Sequence, residues 1–306
     1  MARTSRANFG RLLTERPNRA SRDLDRLSPV RVARLMNRED QRAVAAVGRE
    51  APRIAAAVAL IARALGAGGR LFFVGAGTSG RLGVLEAAEC PPTFGTSPRL
   101  VQAIMAGGRS SVFRSREGAE DDGAAGARAV RTRVRRGDVV VGVSASGVTP
   151  FVRAALEAAA ARGAATVLVA CTPRTGFERR ADVVIAPTPG PEVLAGSTRL
   201  KAGTATKLVL NTLTTASMAR LGKMYGNRMV DLQPRSRKLR ERALRLVVEL
   251  GGVSHERAQR LLAAGGSVRV AVVMARSGRS AIEARRALRD VGNFLAPLIG
   301  RARTSR

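Results

Sequence analysis

The chain of 306 residues contains no tryptophan, one tyrosine, one histidine and two cysteines. Two cysteines, Cys90 and Cys171, cannot form a disulfide framework, so a reducing cytoplasm is expected. The single histidine, His255, offers no cluster of metal ligands and reads as a surface residue, so no metal is expected. Aromatic residues make up 3% of the chain, which leaves little to stack on nucleic-acid bases. No purely apolar run reaches about 18 residues, so no membrane-spanning helix is expected. The opening MARTSRANFGRLL is basic but lacks the apolar core of a secretory signal.

Lysine is scarce as well. Of 53 basic residues only Lys201, Lys207, Lys223 and Lys238 are lysines, and the net charge is +30. Such a charge by itself would favour phosphate-rich partners. Here the excess is arginine spread along the whole chain, which reads as compositional bias, and no DNA-binding module accompanies it. Specific nucleic-acid binding is therefore not expected, and the rare lysines become the informative cations.

With 45% hydrophobic residues the chain can bury a sizeable core. Residues 1–48 form a charged arm in which SPVRVARLMNREDQRAVAAV has helical rhythm. A long apolar helix follows in APRIAAAVALIARALGAGGR, with Pro52 near its start and glycines ending it. Five short runs rich in β-branched residues come next: RLFFVGAG, LVQAIMAGG, DVVVGVSASG, TVLVACTP and DVVIAPTP. Their hydrophobicity is continuous rather than alternating, which predicts strands covered on both faces in a parallel sheet flanked by helices. Residues 49–236 are assigned to this α/β domain. Its last helix, GTATKLVLNTLTTASMARLG, is apolar enough to be buried or to pair with another subunit. Residues 237–306 read as a small helical C-terminal domain, with Ser254 and Ser280 as N-caps. Within it Val268 to Ala275 fits either a strand or a buried helix.

In such sheets the ligand sits at the carboxyl ends of the strands. The stretch FFVGAGTSGRLGVLEAAECPP reads as strand, turn and helix. Gly77, Thr78, Ser79 and Gly80 could bring backbone amides and hydroxyls to an anion, although a purely structural tight turn explains the pattern equally well. A second loop, SASGVTP, offers Ser144, Ser146, Gly147 and Thr149. Two such loops at one sheet edge suggest a monophosphate ester held between them. In GPEVLAGSTRLKAGTATK, Ser197, Thr198, Lys201, Thr204 and Lys207 gather where a helix begins; ordinary helix capping is the alternative.

Two carboxylates stand out. A helix starting at Ser79 and stopped by Pro91 and Pro92 would carry Glu89 in its last turn, where the helix dipole disfavours ionisation, the direction a general acid needs. Glu120, in SREGAEDDG, would lie near the start of a helix beginning around Glu117, where the dipole favours the carboxylate a base requires. The alternative is that Glu117, Glu120, Asp121 and Asp122 only complement that dipole.

The strands and loops resemble the sugar isomerase (SIS) domain, a sugar-phosphate-binding fold. More specifically, LGAGGRLFFVGAGTSGRLGVLEAAECPPTFG, EGAED, GPEVLAGSTRLKAGTATKLVLNTLTT and GKMYGNRMVDL are similar to the N-acetylmuramic acid 6-phosphate etherase family of bacterial enzymes. The likeness runs from TERPNRASRDLD to the C-terminal helices, and Gly190 to Lys207 is shared with the glucokinase regulatory protein. The resemblance implies that Glu120 removes the proton at C2 of the opened sugar and that Glu89 protonates the departing lactyl oxygen at C3. Water then adds to the unsaturated aldehyde, giving N-acetylglucosamine 6-phosphate and D-lactate. It implies an amino sugar phosphate ligand, no cofactor and a homodimer. Cys90, beside Glu89, reads as a packing residue. Two positions depart from the family pattern: Val148 stands where an arginine is usual, and Ser236 where an asparagine is usual. A non-catalytic sugar-phosphate sensor and an aldose–ketose isomerase are the rival readings.

Overall fold

The five runs of β-branched residues form five short strands: Leu71–Gly75 (β1), Val101–Met105 (β2), Val139–Val143 (β3), Ala165–Val169 (β4) and Val183–Ile185 (β5). The computed structural model describes residues 13–173, 176–177, 180–234 and 236–300. The first twelve residues of the expected arm and residues 301–306 of the expected C-terminal domain lie outside the described residues. All strands are parallel, in the order β2-β1-β3-β4-β5. β1 and β3 are buried along their whole length, as strands covered on both faces must be.

The helices in chain order are Pro29–Arg49 (α1), Ala51–Gly66 (α2), Gly77–Phe94 (α3), Gly123–Arg133 (α4), Pro150–Ala161 (α5), Lys201–Arg220 (α6), Arg237–Gly251 (α7), His255–Gly265 (α8), Val268–Ser277 (α9), Ala281–Asp290 (α10) and Ala296–Ile299 (α11). Among the described residues no helix is long and apolar enough to cross a membrane. The chain divides into two compact units. One comprises Met1–Ala87 with Arg99–Leu213, the other Ala88–Pro98 with Thr214–Arg306.

In the first unit, the chain leaves β1 toward β2 on one side and returns to β3 on the other. A crevice therefore opens at the carboxyl ends of β1 and β3. Gly75 pairs with Val143, so the loops leaving these two strands emerge side by side. Phe72, Val74, Val140 and Leu168 of the sheet pack against Phe151, Val152 and Leu156 of α5 and Val130 of α4. Each large side chain so buried contributes about 1.5–3 kcal/mol. Helix α1 of the expected arm packs here too, with Ala43 against Cys171, Ala202 and Ala205. Burial pushes the Cys171 thiol up to about 12, so it stays protonated at neutral pH and is no nucleophile.

At the opposite, amino ends of the strands, Asp138 is fully buried. Its carboxylate accepts from the Arg70 backbone N–H at 2.9 Å, from the Arg70 guanidinium at 3.2 and 2.6 Å, and from the Arg135 N–H at 2.9 Å. This one side chain pins the starts of β1 and β3 together. Asp138→Ala strands those donors, and breaking such a buried pair costs about 3–5 kcal/mol. Denaturant unfolding checks this; an unchanged midpoint would show that the clamp is dispensable.

In the second unit, four helices start in the same way. The hydroxyls of Ser236, Ser254, Ser267 and Ser280 accept from the backbone N–H of Leu239, Arg257, Val270 and Glu283 at the heads of α7 to α10. Ser236, expected as a departure from the resembled pattern, is a competent N-cap of α7. Val268 to Ala275 resolves as helix: Ser267 caps it, and Val270, Ala271, Val272 and Val273 pack in the core with Leu246, Val247, Ala284 and Leu288. His255 is exposed, and Cys90 is buried, as a packing residue is.

Candidate active site

The turn after β1 is tight because its glycines leave no room for side chains. A Cβ at Gly80 would stand 2.5 Å from the Gly75 carbonyl oxygen and 2.3 Å from Met105 Sδ. Gly80 thus seats the start of α3 closely on the strand, and it is not among the residues lining the adjacent cavity. Gly77, at φ +53°, together with Thr78 and Ser79, lines a cavity of about 400 Å³ at the carboxyl ends of β1 and β3.

The loop after β3 supplies the second wall. Ser146, Val148, Thr149 and Pro150 line the cavity. Ser144 and Gly147 sit behind them, and Ser144 is buried. The Ser144 hydroxyl lies 2.7 Å from that of Thr149 and accepts from the Gly147 N–H at 3.0 Å; Ser146 Oγ accepts from the Val148 N–H at 3.3 Å. These bonds fix the loop before any ligand arrives, so binding need not bear the cost of ordering it. Val148, expected as a departure from the resembled pattern, presents an apolar side chain to the cavity.

Glu120 lines the cavity together with Asp121. It lies in a turn ahead of α4, not inside a helix beginning at Glu117: Asp122 is the N-cap, accepting from the Ala125 N–H at 2.8 Å, and α4 starts at Gly123. The expected dipole at Glu120 is therefore replaced by a different constraint. Its own carbonyl accepts from the Phe151 N–H at 3.0 Å, which ties the Glu120 turn to the first turn of α5.

The place of Glu89 also differs from expectation. α3 begins at Gly77 and continues through Pro91 and Pro92 to Phe94, so the helix end lies more than a turn beyond Glu89. A proline withholds only its own N–H and crowds the preceding turn, a modest loss so near the terminus, where the Gly95 N–H closes on the Pro91 carbonyl at 3.0 Å. Glu89 is exposed and belongs to the second unit. The cavity walls named here all come from the first.

Lys201 does not line the cavity. It is 1% exposed, and its ammonium sits 2.6 Å from Glu39 of α1. Its backbone N–H and that of Ala202 donate to the buried Glu192 carboxylate at 2.8 and 2.9 Å, which caps α6. Burial pushes the Glu192 carboxyl up, against the pull of these two amides. Lys207 is likewise taken, at 2.5 Å from Glu86. Thr198, rather than its neighbour Ser197, reaches the cavity.

Two wall residues escaped sequence reasoning altogether. Thr14 and Glu15, from the arm, line the cavity, and the Gly196 N–H donates to the Thr14 carbonyl at 2.9 Å. The arm is held there by Asn18, whose amide donates to Glu39 at 2.8 Å and to the Pro191 carbonyl at 3.2 Å. Among the described residues no lysine or arginine lines this cavity. In a chain of charge +30, its polar groups are hydroxyls, backbone amides and three carboxylates, Glu15, Glu120 and Asp121.

Matches to family models agree with this architecture. Residues 53–160 match the glucokinase regulatory protein N-terminal SIS domain, and residues 122–216 match the SIS domain. Among solved structures, the chain is similar to a phosphoheptose isomerase from Neisseria gonorrhoeae, with 21% identity and a TM-score of 0.46 over 62% of this chain and 97% of that one. It is 51% identical over 288 residues to an N-acetylmuramic acid 6-phosphate etherase of a Synechocystis species, covering 93% of this chain and 94% of that protein. It is 52% identical over 271 residues to one from Symbiobacterium thermophilum, covering 88% and 90%. At this identity over nearly the full length of both relatives, the chain belongs to the N-acetylmuramic acid 6-phosphate etherase family.

Proposed function

We propose that this chain is a carbon–oxygen lyase that cleaves the lactyl ether of N-acetylmuramic acid 6-phosphate, releasing D-lactate and N-acetylglucosamine 6-phosphate in the recycling of cell-wall amino sugars. The observation that carries the reading is that Glu120 lines the same cavity as the hydroxyl residues Thr78, Ser79, Ser146 and Thr149. Those groups suit a phosphate ester held by hydrogen bonds rather than by charge. They leave Glu120 as a base for the acidic proton at C2 of the open-chain aldehyde. Loss of that proton expels the oxygen at C3 as lactate, with Glu89 supplying the proton the leaving group takes. Water then adds across the double bond at C3, and C2 regains a proton from solvent. No step draws on a cofactor. The enzyme acts in the cytoplasm as a homodimer; light scattering on the purified protein tests the second point, and a monomeric mass would refute it.

Incubation with N-acetylmuramic acid 6-phosphate and an assay for D-lactate tests the activity. No lactate at saturating substrate would leave the sensor or isomerase readings standing. Glu89→Gln is expected to lower turnover by about 10²–10⁴-fold, the usual worth of a positioned acid. Unchanged turnover would remove Glu89 from the mechanism.

A further inference from the structure

A second, smaller cavity of about 120 Å³ shares Ala76, Gly77 and Glu120 with the larger one. It is lined beyond them by Arg81, Ser111, Arg116 and Glu117. Arg81 comes from the GAGTSGR turn and already does one job there. Its Nε donates to the Val112 carbonyl at 2.8 Å, and its Nη2 to the Ser111 carbonyl at 3.0 Å and to Ser115 Oγ at 3.3 Å. That fixes the guanidinium while its Nη1 donates to nothing among the described residues. The Ser111 hydroxyl is buried and has no hydrogen-bond partner, an arrangement that costs free energy unless something else supplies one. It occupies the space a Cβ at Gly107 would need, 2.3 Å from that point, so the glycine makes room for it. Arg116 adds a second cation, against the carboxylates of Glu117 and Glu120.

We infer that this small cavity receives the carboxylate of the substrate's lactyl group, with Arg81, Arg116 and Ser111 as its donors. The inference rests on the proposed etherase reading. In that reaction the ether oxygen is on C3, next to the C2 from which Glu120 takes its proton. A sugar lying in the larger cavity with C2 at Glu120 therefore carries its C3 substituent to the wall the two cavities share. The lactyl carboxylate is the one anion there besides the phosphate. The small cavity has room for a carboxylate on a short stem and offers unpaired donors, two of them cationic, a match for a planar carboxylate. The site would distinguish a lactyl ether from a simple alkyl ether at the same carbon.

The test compares two substrates, the natural one and an analogue in which the lactyl carboxylate is a carboxamide, by release of lactate or lactamide. The wild type is expected to favour the acid by roughly 10- to 100-fold in kcat/KM, the range of a charge-assisted hydrogen-bond pair. Arg81→Lys, Arg116→Gln and Ser111→Ala should each shrink that ratio. Arg81 also holds the 111–115 segment, so if Arg81→Lys fails to fold, the other two variants decide. Equal losses on both substrates, or a wild-type ratio near one, overturn the inference. So does competition by inorganic phosphate, rather than D-lactate, that weakens in these variants, since the cavity would then be a phosphate site. No product from either substrate with the wild type would instead refute the etherase reading itself.

Discussion

Glu120→Gln slows D-lactate release by about 10²–10⁴-fold, the contribution expected of a positioned general base. The amide keeps the side chain's shape and reach, so KM should change far less than kcat, because what is lost is an interaction made in the transition state. A second readout isolates the step. In heavy water the wild type should return product with deuterium at C2, since the proton restored there comes from solvent. With Glu120→Gln that incorporation should slow in parallel with turnover. Full turnover, or deuterium uptake at the wild-type rate, would show that another group abstracts the proton. Asp121, the neighbouring carboxylate on the same wall, would be next to examine.

The second large effect lies away from the chemistry. Glu39→Gln leaves the Lys201 ammonium, 1% exposed, without its counter-charge, and breaking a buried pair of this kind costs about 3–5 kcal/mol. Denaturant unfolding at neutral pH should register the whole loss. The double variant Glu39→Leu with Lys201→Met should recover most of it, because well-packed apolar groups replace buried ion pairs at little cost. An unchanged midpoint in Glu39→Gln would show that the pair is solvated in solution. Acid behaviour gives an independent check. Burial raises the Glu39 carboxyl, but the hydrogen bonds from Lys201 and Asn18 together with the charges of Lys201 and Arg42 hold it below its ordinary 4.5. A group lowered on folding stabilises above its unfolded value, and that contribution disappears as pH falls through the folded one. The wild type should therefore lose stability below about pH 4.5, by a component absent from Glu39→Gln.

Much of the sheet and part of the site were legible in the sequence, for reasons that also mark the limit. The five strands declared themselves because a parallel strand buried on both faces must be apolar throughout, and runs such as DVVVGV have no other economical fold. The loops of Gly77–Ser79 and Ser146–Thr149 followed, since glycine and hydroxyl residues after a strand signal a turn that uses its backbone. What stayed hidden depended on distant partners. Lys201 was conspicuous as a rare lysine, yet nothing local says that Glu39, 162 positions earlier, claims its charge. Thr14 and Glu15 belong to a three-residue 3-10 segment too short to show periodicity, and a backbone bond from Gly196 to Thr14 holds them at the cavity wall. The two prolines after Cys90 suggested a stop, and the last turn of α3 absorbs them instead.

The bond from the Phe151 amide to the Glu120 carbonyl has a mechanical meaning. It ties the first turn of α5, which follows directly on the Ser146–Thr149 loop, to the turn that carries Glu120. On the proposed mechanism a shift of the loop would pass to Glu120, so the groups proposed to hold the sugar would also set the angle from which its proton is taken.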